Sequence, residues 1–208
     1  MGGLLALSGV IDRINEWIGK SVSWLILIAV LVSATNAILR KTMNISSNAW
    51  LEFQWYLFGA AFLLASAYTL KENGHVRIDV VYGRVSDRTR HLIDLFGLIF
   101  FLLPFTVLML YYLGPYVWQS FNSGEVSTNS GGLIIWPGKA LLLVGFALLT
   151  TQGLSEIIKK IAVMQPQPEV HIRGDEEARY EAVGRLVVAC QRAGIAKVGF
   201  ITEAPPRQ

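Results

Sequence analysis

The chain has 208 residues, of which 53% are hydrophobic and only 16% are charged, and its mean hydropathy is +0.46. Soluble domains carry about 25% charged residues, so this composition argues against an ordinary soluble protein and favours a membrane protein. The net charge is only +3 and the basic residues are scattered, which argues against nucleic acid as a partner. The single cysteine, Cys190, excludes a disulfide framework and a zinc site built on cysteines.

Stretches free of Asp, Glu, Lys and Arg locate the predicted membrane spans. A bilayer core about 30 Å thick needs about 20 helical residues, and four stretches meet this length. They predict helices at about residues 21–39, 51–70, 92–113 and 136–158. The third helix is predicted to end near Leu113, because Gly114 and Pro115 follow it, and to kink at Pro104.

The twenty residues before the first span are amphipathic. Leu7, Ile11, Ile14 and Ile18 recur at helical spacing, with charged and amide side chains between them. This pattern predicts an interfacial helix that lies flat on the membrane, and the alternative is a frayed terminus. The segment lacks the short basic start and small-residue cleavage site of a secretory signal, so the first span is predicted to be retained.

The distribution of Lys and Arg predicts the orientation of the spans. Nine basic residues flank one side of the predicted helices and three flank the other. The nine are Arg13, Lys20, Lys71, Arg77, Arg84, Arg88, Arg90, Lys159 and Lys160, and the three are Arg40, Lys41 and Lys139. The positive-inside rule therefore predicts that both termini and the loop between the second and third helices are cytoplasmic.

Two polar residues, Glu52 and Gln54, open the second predicted helix within an apolar stretch. A carboxylate at this depth either caps the helix near the membrane surface or contacts a protein partner. None of the four spans carries an ionisable residue at mid-membrane, where a proton or ion relay would need several. The chain alone is therefore not expected to act as a pump.

The loop after the second helix, Lys71–Val80, alternates apolar residues with His75, Arg77 and Asp79. This alternation separates an apolar side from a charged one and predicts that something packs on the loop. A metal site on His75 and Asp79 would lack further ligands nearby, so a solvated or interface-bound loop is favoured. No catalytic triad, phosphate-binding glycine loop or zinc spacing occurs, so neither an enzyme nor a cofactor is predicted.

Several segments carry a resemblance to a known family. They are Trp50–Phe58, Lys71–Val80, Trp136–Lys139 and Gln152–Glu156. They resemble the small four-helix membrane subunit, DctQ type, of tripartite ATP-independent periplasmic (TRAP) transporters, and the resemblance covers about residues 10–164. In such transporters a periplasmic binding protein captures an organic acid, a large membrane subunit moves it with sodium, and the small subunit braces the large one.

The resemblance implies a location and a set of partners. The location is the bacterial inner (cytoplasmic) membrane, and the partners are the lipid bilayer, the large membrane subunit and, through the assembled complex, the periplasmic solute-binding protein. Seven residues become candidates for the interface between subunits: Glu52, Gln54, His75, Arg77, Asp79, Trp136 and Lys139.

The composition changes after a proline-punctuated linker at residues 165–169, which ends the membrane domain of residues 1–164. Residues 170–208 predict a strand at 170–172, a helix at 176–193 and a second strand at 197–202, which together make one βαβ unit. This tail resembles the C-terminal end of ExbD/TolR-type proteins. Such proteins harness the proton gradient, but their periplasmic domain is about twice as long and follows a single membrane helix.

These features predict an all-α integral membrane protein with four transmembrane helices, cytoplasmic termini, an N-terminal interfacial helix and a small βαβ-like soluble tail. The leading hypothesis is a non-catalytic small permease subunit that scaffolds the large sodium-coupled subunit of a TRAP transporter for organic-acid uptake. The alternatives are an energy-transducing ExbD/TolR-like accessory protein and a membrane-anchored interaction module. ExbD-type proteins depend on a membrane Asp, and residues 140–155 of the last predicted helix contain no acid.

Overall fold

A computed structural model describes residues 2–45, 47–75 and 82–164, and describes only the backbone of residues 170–173 and 198–201. The described part of the chain contains four helices that are long and apolar enough to cross a membrane. They are α1 (Gly2–Met43), α2 (Asn48–Lys71), α3 (Asp87–Ser123) and α4 (Trp136–Met164). The prediction of a mostly helical protein with four such helices is confirmed.

The first helix is longer than predicted. It runs without a break for 42 residues from Gly2 to Met43, a length of about 63 Å at 1.5 Å per residue. The residues before 21 form neither a frayed terminus nor a separate helix, because they continue α1. Ser8, Asp12 and Asn15 share one face of α1 and hydrogen-bond to α4. That this segment lies flat on the membrane surface stays a prediction.

The third helix passes through its predicted stop near Leu113. Pro115 lies inside α3, and the helix ends only at Ser123, where Gly124 adopts a left-handed conformation with φ of 60°. A proline removes one backbone donor, whereas leaving the helix would expose many backbone groups to an apolar environment. Continuing the helix past Gly114-Pro115 is therefore the less costly solution.

Pro104 is preceded by a local change in helix geometry. Leu98–Leu102 form a π turn, in which the N–H of Leu103 bonds to the carbonyl of Leu98, five residues earlier. Prolines and π turns are the usual places where long helices bend. The kink at Pro104 stays a prediction, and the irregularity beside it is this π turn.

The second helix ends in a turn made by Asn73 and Gly74. Asn73 has a positive φ of 55°, and its N–H bonds to the carbonyl of Leu70 while the N–H of Gly74 bonds to that of Thr69. This pair of bonds is the Schellman arrangement, which satisfies carbonyls left free at a helix end. The Asn-Gly pair therefore turns the chain as its sequence predicts.

Small residues let the helices approach one another closely. A Cβ added at Gly138 would lie 2.8 Å from the ring of Tyr56, and one added at Gly145 would lie 2.9 Å from the Cβ of Leu63. Both pairs advance by seven residues, so α2 and α4 run parallel in a coiled-coil-like register. A Cβ added at Gly19 of α1 would lie closer still to the side chain of Tyr68 of α2. These contacts build the membrane unit by backbone proximity rather than by a large apolar core.

Many large apolar side chains point away from the protein. Phe62 is 78% exposed, Tyr111 is 72% exposed and Trp55 is 70% exposed. In a water-soluble monomer an apolar surface of this extent would be unusual. Lipid or protein must cover it.

The chain separates into two compact units, Met1–Lys159 and Lys160–Gln208. In the second unit, β1 (Val170–Arg173) and β2 (Val198–Ile201) pair in parallel, with Val170 opposite Val198. The linker predicted at 165–169 and the helix predicted at 176–193 lie outside the described residues. The complete βαβ unit therefore stays a prediction.

Candidate functional site

The carboxylate of Glu52 anchors the α3–α4 loop, which comprises residues 124–135. It accepts hydrogen bonds from the hydroxyl of Ser127, from Nδ2 of Asn129 at 2.8 Å and from the backbone N–H of Leu133 at 2.7 Å. Glu52 is only 6% exposed. We call Glu52 and these three donors the loop clamp.

A stripe of polar residues on α2 extends this clamp. Nδ2 of Asn48 donates to the carbonyl of Ser130 at 2.9 Å, and the hydroxyl of Tyr56 donates to the carbonyl of Ile134 at 3.1 Å. Asn48, Glu52 and Tyr56 are four residues apart, so they lie on one face of the helix. The sequence shows that these three polar residues share a helix face, but it does not show that the α3–α4 loop is their partner.

The α3–α4 loop is folded on itself. Val126 and Ile134 form an antiparallel bridge, flanked by a bond from the N–H of Ile135 to the carbonyl of Glu125 at 3.0 Å. A Cβ at Gly132 would lie 2.5 Å from the Cβ of Ser127 and 2.9 Å from a carboxylate oxygen of Glu52. Glycine is therefore required where the loop passes over the clamp.

A second charged pair joins the loop to the start of α4. Nζ of Lys139 lies 2.5 Å from a carboxylate oxygen of Glu125 and 4.0 Å from the centroid of the Tyr116 ring. The hydroxyl of Ser120 donates to the same carboxylate oxygen at 2.7 Å. The hydrogen bond from Lys139, followed by that from Ser120, lowers the pKa of Glu125 below its usual value. The half-buried Trp136 meets the ring of Phe121 edge-on at 5.3 Å.

A buried polar network joins α1 to α4. Nδ2 of Asn15 donates to Oε1 of Gln152 at 2.8 Å, and Nε2 of Gln152 donates to Asp12 at 2.8 Å and to Glu156 at 2.9 Å. Lys159 completes it with an ion pair to Asp12 at 3.0 Å. Asn15 and Gln152 are 1% and 0% exposed. Sequence reasoning missed this network because it assigned Asp12 and Asn15 to an interfacial helix.

A salt bridge joins α1 to the end of α2 nearby. Nζ of Lys71 lies 2.9 Å from Glu16, and the same carboxylate accepts from Lys20 one turn along α1. The start of α1, the end of α2 and the end of α4 are therefore tied together at one end of the unit. The α3–α4 loop lies at the other end, with the starts of α2 and α4.

The seven predicted interface residues do not form one site. Glu52, Lys139 and Trp136 lie around the α3–α4 loop, while the exposed His75 follows the opposite end of α2. Gln54 is half-buried and lines an open groove between α1 and α2 with Ala29, Ser33 and Phe58. Arg77 and Asp79 lie outside the described residues.

The two charged candidates at the loop are engaged within the chain. The side chain of Lys139 is only 11% exposed and pairs with Glu125, and Glu52 is enclosed by loop donors. Neither presents a free charge to a partner. Among the described residues, no group of three or more His, Cys, Asp or Glu side chains could hold a metal ion.

Comparison with known proteins gives two regions of similarity. Residues 123–204 match the family described as biopolymer transport protein ExbD/TolR. The Tol-Pal system protein TolR of Pseudomonas aeruginosa is 39% identical over 57 residues, which are 27% of this chain and 39% of that protein. The matched part thus spans well under half the length of this curated relative.

The other region is larger. Residues 27–163, about two thirds of the chain, match the family described as tripartite ATP-independent periplasmic transporters, DctQ component. The match includes α2, α3, nearly all of α4 and residues 27–43 of α1, and with them the loop clamp and the close glycine contacts between α2 and α4. The chain therefore belongs to the DctQ component family of tripartite ATP-independent periplasmic transporters.

Proposed function

We propose that this chain is the small permease subunit of a TRAP transporter in the bacterial inner membrane, and that it braces a large sodium-coupled subunit during organic-acid uptake. The family match over residues 27–163 carries this proposal. The interiors of the four spans hold no charged residue; these are residues 21–39, 55–70, 95–123 and 140–155. A chain without mid-membrane charges is suited to bracing rather than to moving an ion itself.

The contacts within the unit support a scaffolding role. Most of the described polar residues at the two ends of the helices hydrogen-bond or pair within the unit. Glu52, for example, binds the α3–α4 loop, and Gln152 binds α1. The apolar faces, by contrast, are left open, with Phe62 and Tyr111 more than two thirds exposed. A rigid unit with open apolar faces is what a bracing subunit presents to a membrane partner.

Assembly with the large subunit is the first test of this proposal. Charge reversal at Arg77 or Asp79 is expected to weaken co-purification with the large subunit about tenfold, which corresponds to ~1.4 kcal/mol, and to lower uptake in parallel. His75→Glu should act in the same direction. Arg40→Glu is the matched control, because Arg40 is exposed near the C-terminal end of α1, far from the end of α2 that precedes the tested residues. Loss of uptake from a complex that stays intact would instead assign these residues a direct role in transport.

Orientation is the second test. We propose that the end of the unit that carries the start of α1 and the ends of α2 and α4 faces the cytoplasm, because nine of the twelve basic residues that flank the spans belong to it. With Cys190→Ser as background, Thr128→Cys should react with an impermeant maleimide added from the periplasm. Arg84→Cys should react only after the membrane is opened. The reverse labelling pattern would overturn the orientation.

A second candidate function concerns the tail. The ExbD/TolR match over residues 123–204 and the TolR segment that is 39% identical favour an energy-transducing accessory role. We propose instead that residues 169–208 are dispensable for transport. The proposed orientation places them in the cytoplasm, and a unit of about forty residues has little core of its own.

Truncation distinguishes these two functions. A chain that ends at Gln165 is expected to assemble with the large subunit and to support uptake within about twofold of the full chain, because the family match ends at residue 163. Uptake by whole cells and co-purification should be measured together. If the truncated chain assembled but failed to support uptake, the tail would be required for transport, and the energy-transducing role would be favoured.

A further inference from the structure

The first turns of α3 carry an open apolar groove of about 430 Å³. Its lining consists of Thr89, Leu92, Ile93, Leu95, Phe96, Ile99 and Phe100. Four of these side chains are about half exposed or more, from 46% for Ile93 to 62% for Phe100. The groove runs along the helix axis from Leu92 to Phe100, a distance of about 12 Å. It therefore follows the direction in which a lipid chain would run in a membrane.

Two exposed arginines, Arg84 and Arg88, precede the groove along the chain. Arg88 precedes Leu92 by four residues, so it lies one helical turn nearer the start of α3 on the same face. Arg84 precedes the helix, and both arginines are exposed. Neither makes a hydrogen bond or ion pair with any residue that the structure describes.

The neighbouring charges do not neutralise these two arginines. Arg90 is engaged, because its guanidinium donates to the carbonyls of Tyr82 at 2.9 Å and Gly83 at 3.0 Å and pairs with Asp87 at 3.2 Å. Asp87, the acid in the first turn of α3, is thereby occupied by Arg90. From residue 84 to residue 94 the chain carries three arginines (Arg84, Arg88 and Arg90) and two acids (Asp87 and Asp94), so the formal net charge of this segment is +1.

We propose that this face binds an anionic phospholipid. The phosphate group would lie against Arg84 and Arg88, and an acyl chain would lie along Leu92, Phe96 and Phe100. Charge complementarity selects the headgroup, and the purely apolar lining below Thr89 selects a hydrocarbon chain. The inference requires only that the chain lies in a membrane and does not depend on the transport role.

Lipid binding to the full chain, measured by native mass spectrometry from detergent, tests this inference. The probes are dioleoylphosphatidylglycerol and dioleoylphosphatidylcholine. The wild-type chain should prefer phosphatidylglycerol, and the double variant Arg84→Gln, Arg88→Gln should weaken its binding by about thirtyfold, from about 1 kcal/mol for each arginine. Binding of phosphatidylcholine should change much less in that variant, because its choline offsets the charge of its phosphate.

A matched control and a groove variant make the result decisive. Arg40→Gln, Lys41→Gln removes the same charge from exposed residues at the other end of α1 and should leave the preference intact. Phe96→Ala should weaken both lipids, and soluble glycerophosphoglycerol should compete poorly because it lacks the chains. An unchanged preference in the Arg84, Arg88 double variant would overturn the proposal. Competition by glycerophosphoglycerol as strong as that by phosphatidylglycerol itself would overturn it too. Equal loss in the Arg40, Lys41 control would also overturn it, since charge alone would then explain binding.

Discussion

Glu52→Ala is expected to release the α3–α4 loop and to lower the free energy of unfolding by about 2–3 kcal/mol. The reason is that three donors, on Ser127, Asn129 and the backbone of Leu133, lose one shared buried acceptor. A buried donor left without a partner costs about 1–3 kcal/mol, and water entering at the loop surface offsets part of the combined loss. Hydrogen exchange of residues 124–135 and thermal unfolding in detergent measure the two effects.

Two further variants give this prediction its controls. Glu52→Gln keeps one carbonyl oxygen of similar position, so its loss should fall between the wild type and Glu52→Ala. Glu72→Ala removes a carboxylate that is 51% exposed and, among the described residues, pairs with Lys71 alone. It should change stability by less than about 0.5 kcal/mol. If Glu52→Ala left hydrogen exchange in the loop as slow as in the wild type, the clamp would not be what orders the loop.

Hydropathy predicts the helices of this protein well, because the preference of each residue for lipid or water does not depend on which other residues it contacts. The spans follow from stretches without charge, and α2 begins and ends within three residues of its predicted bounds. The prediction that the third helix ends near Leu113, before Pro115, is wrong. The helix-breaking preference of proline applies in water, but in an apolar environment the cost of leaving backbone groups unsatisfied outweighs it.

The polar ties between helices could not be predicted in the same way. Asp12 and Asn15 lie more than 130 residues before Gln152 in the chain. Taken alone, each of the three has the sequence signature of an ordinary surface or helix-end residue. The sequence makes Glu52 and Lys139 candidates for a subunit interface, because a charge near a helix end has the same sequence signature whether it faces another chain or its own loop. Only the fold distinguishes these two uses. Arg84, Arg88 and Arg90 likewise look alike in the sequence, but of these three only Arg90 pairs with a residue that the structure describes.

Gly145→Leu is expected to force α2 and α4 apart and to destabilise the membrane unit strongly. Even the first added atom, the Cβ, would lie 2.9 Å from the Cβ of Leu63 and 3.1 Å from its carbonyl oxygen. The backbone of α2 cannot yield as a side chain can, so α4 must move away from it. Overpacking typically costs 1–3 kcal/mol, and a clash with backbone across two parallel helices should reach about 3 kcal/mol or more.

Gly59→Leu is the matched control, because a Cβ at Gly59 of α2 would meet no atom within 4 Å. Both substitutions raise helix propensity by a similar amount, so any difference between them reports packing alone. The Gly145→Leu chain should elute as an aggregate or a broadened peak in size-exclusion chromatography in detergent and should unfold at lower temperature, whereas Gly59→Leu should behave like the wild type. Equal stability of the two variants would mean that α2 and α4 are not held together through Gly145, and that the polar ties at the helix ends alone set the distance between these helices.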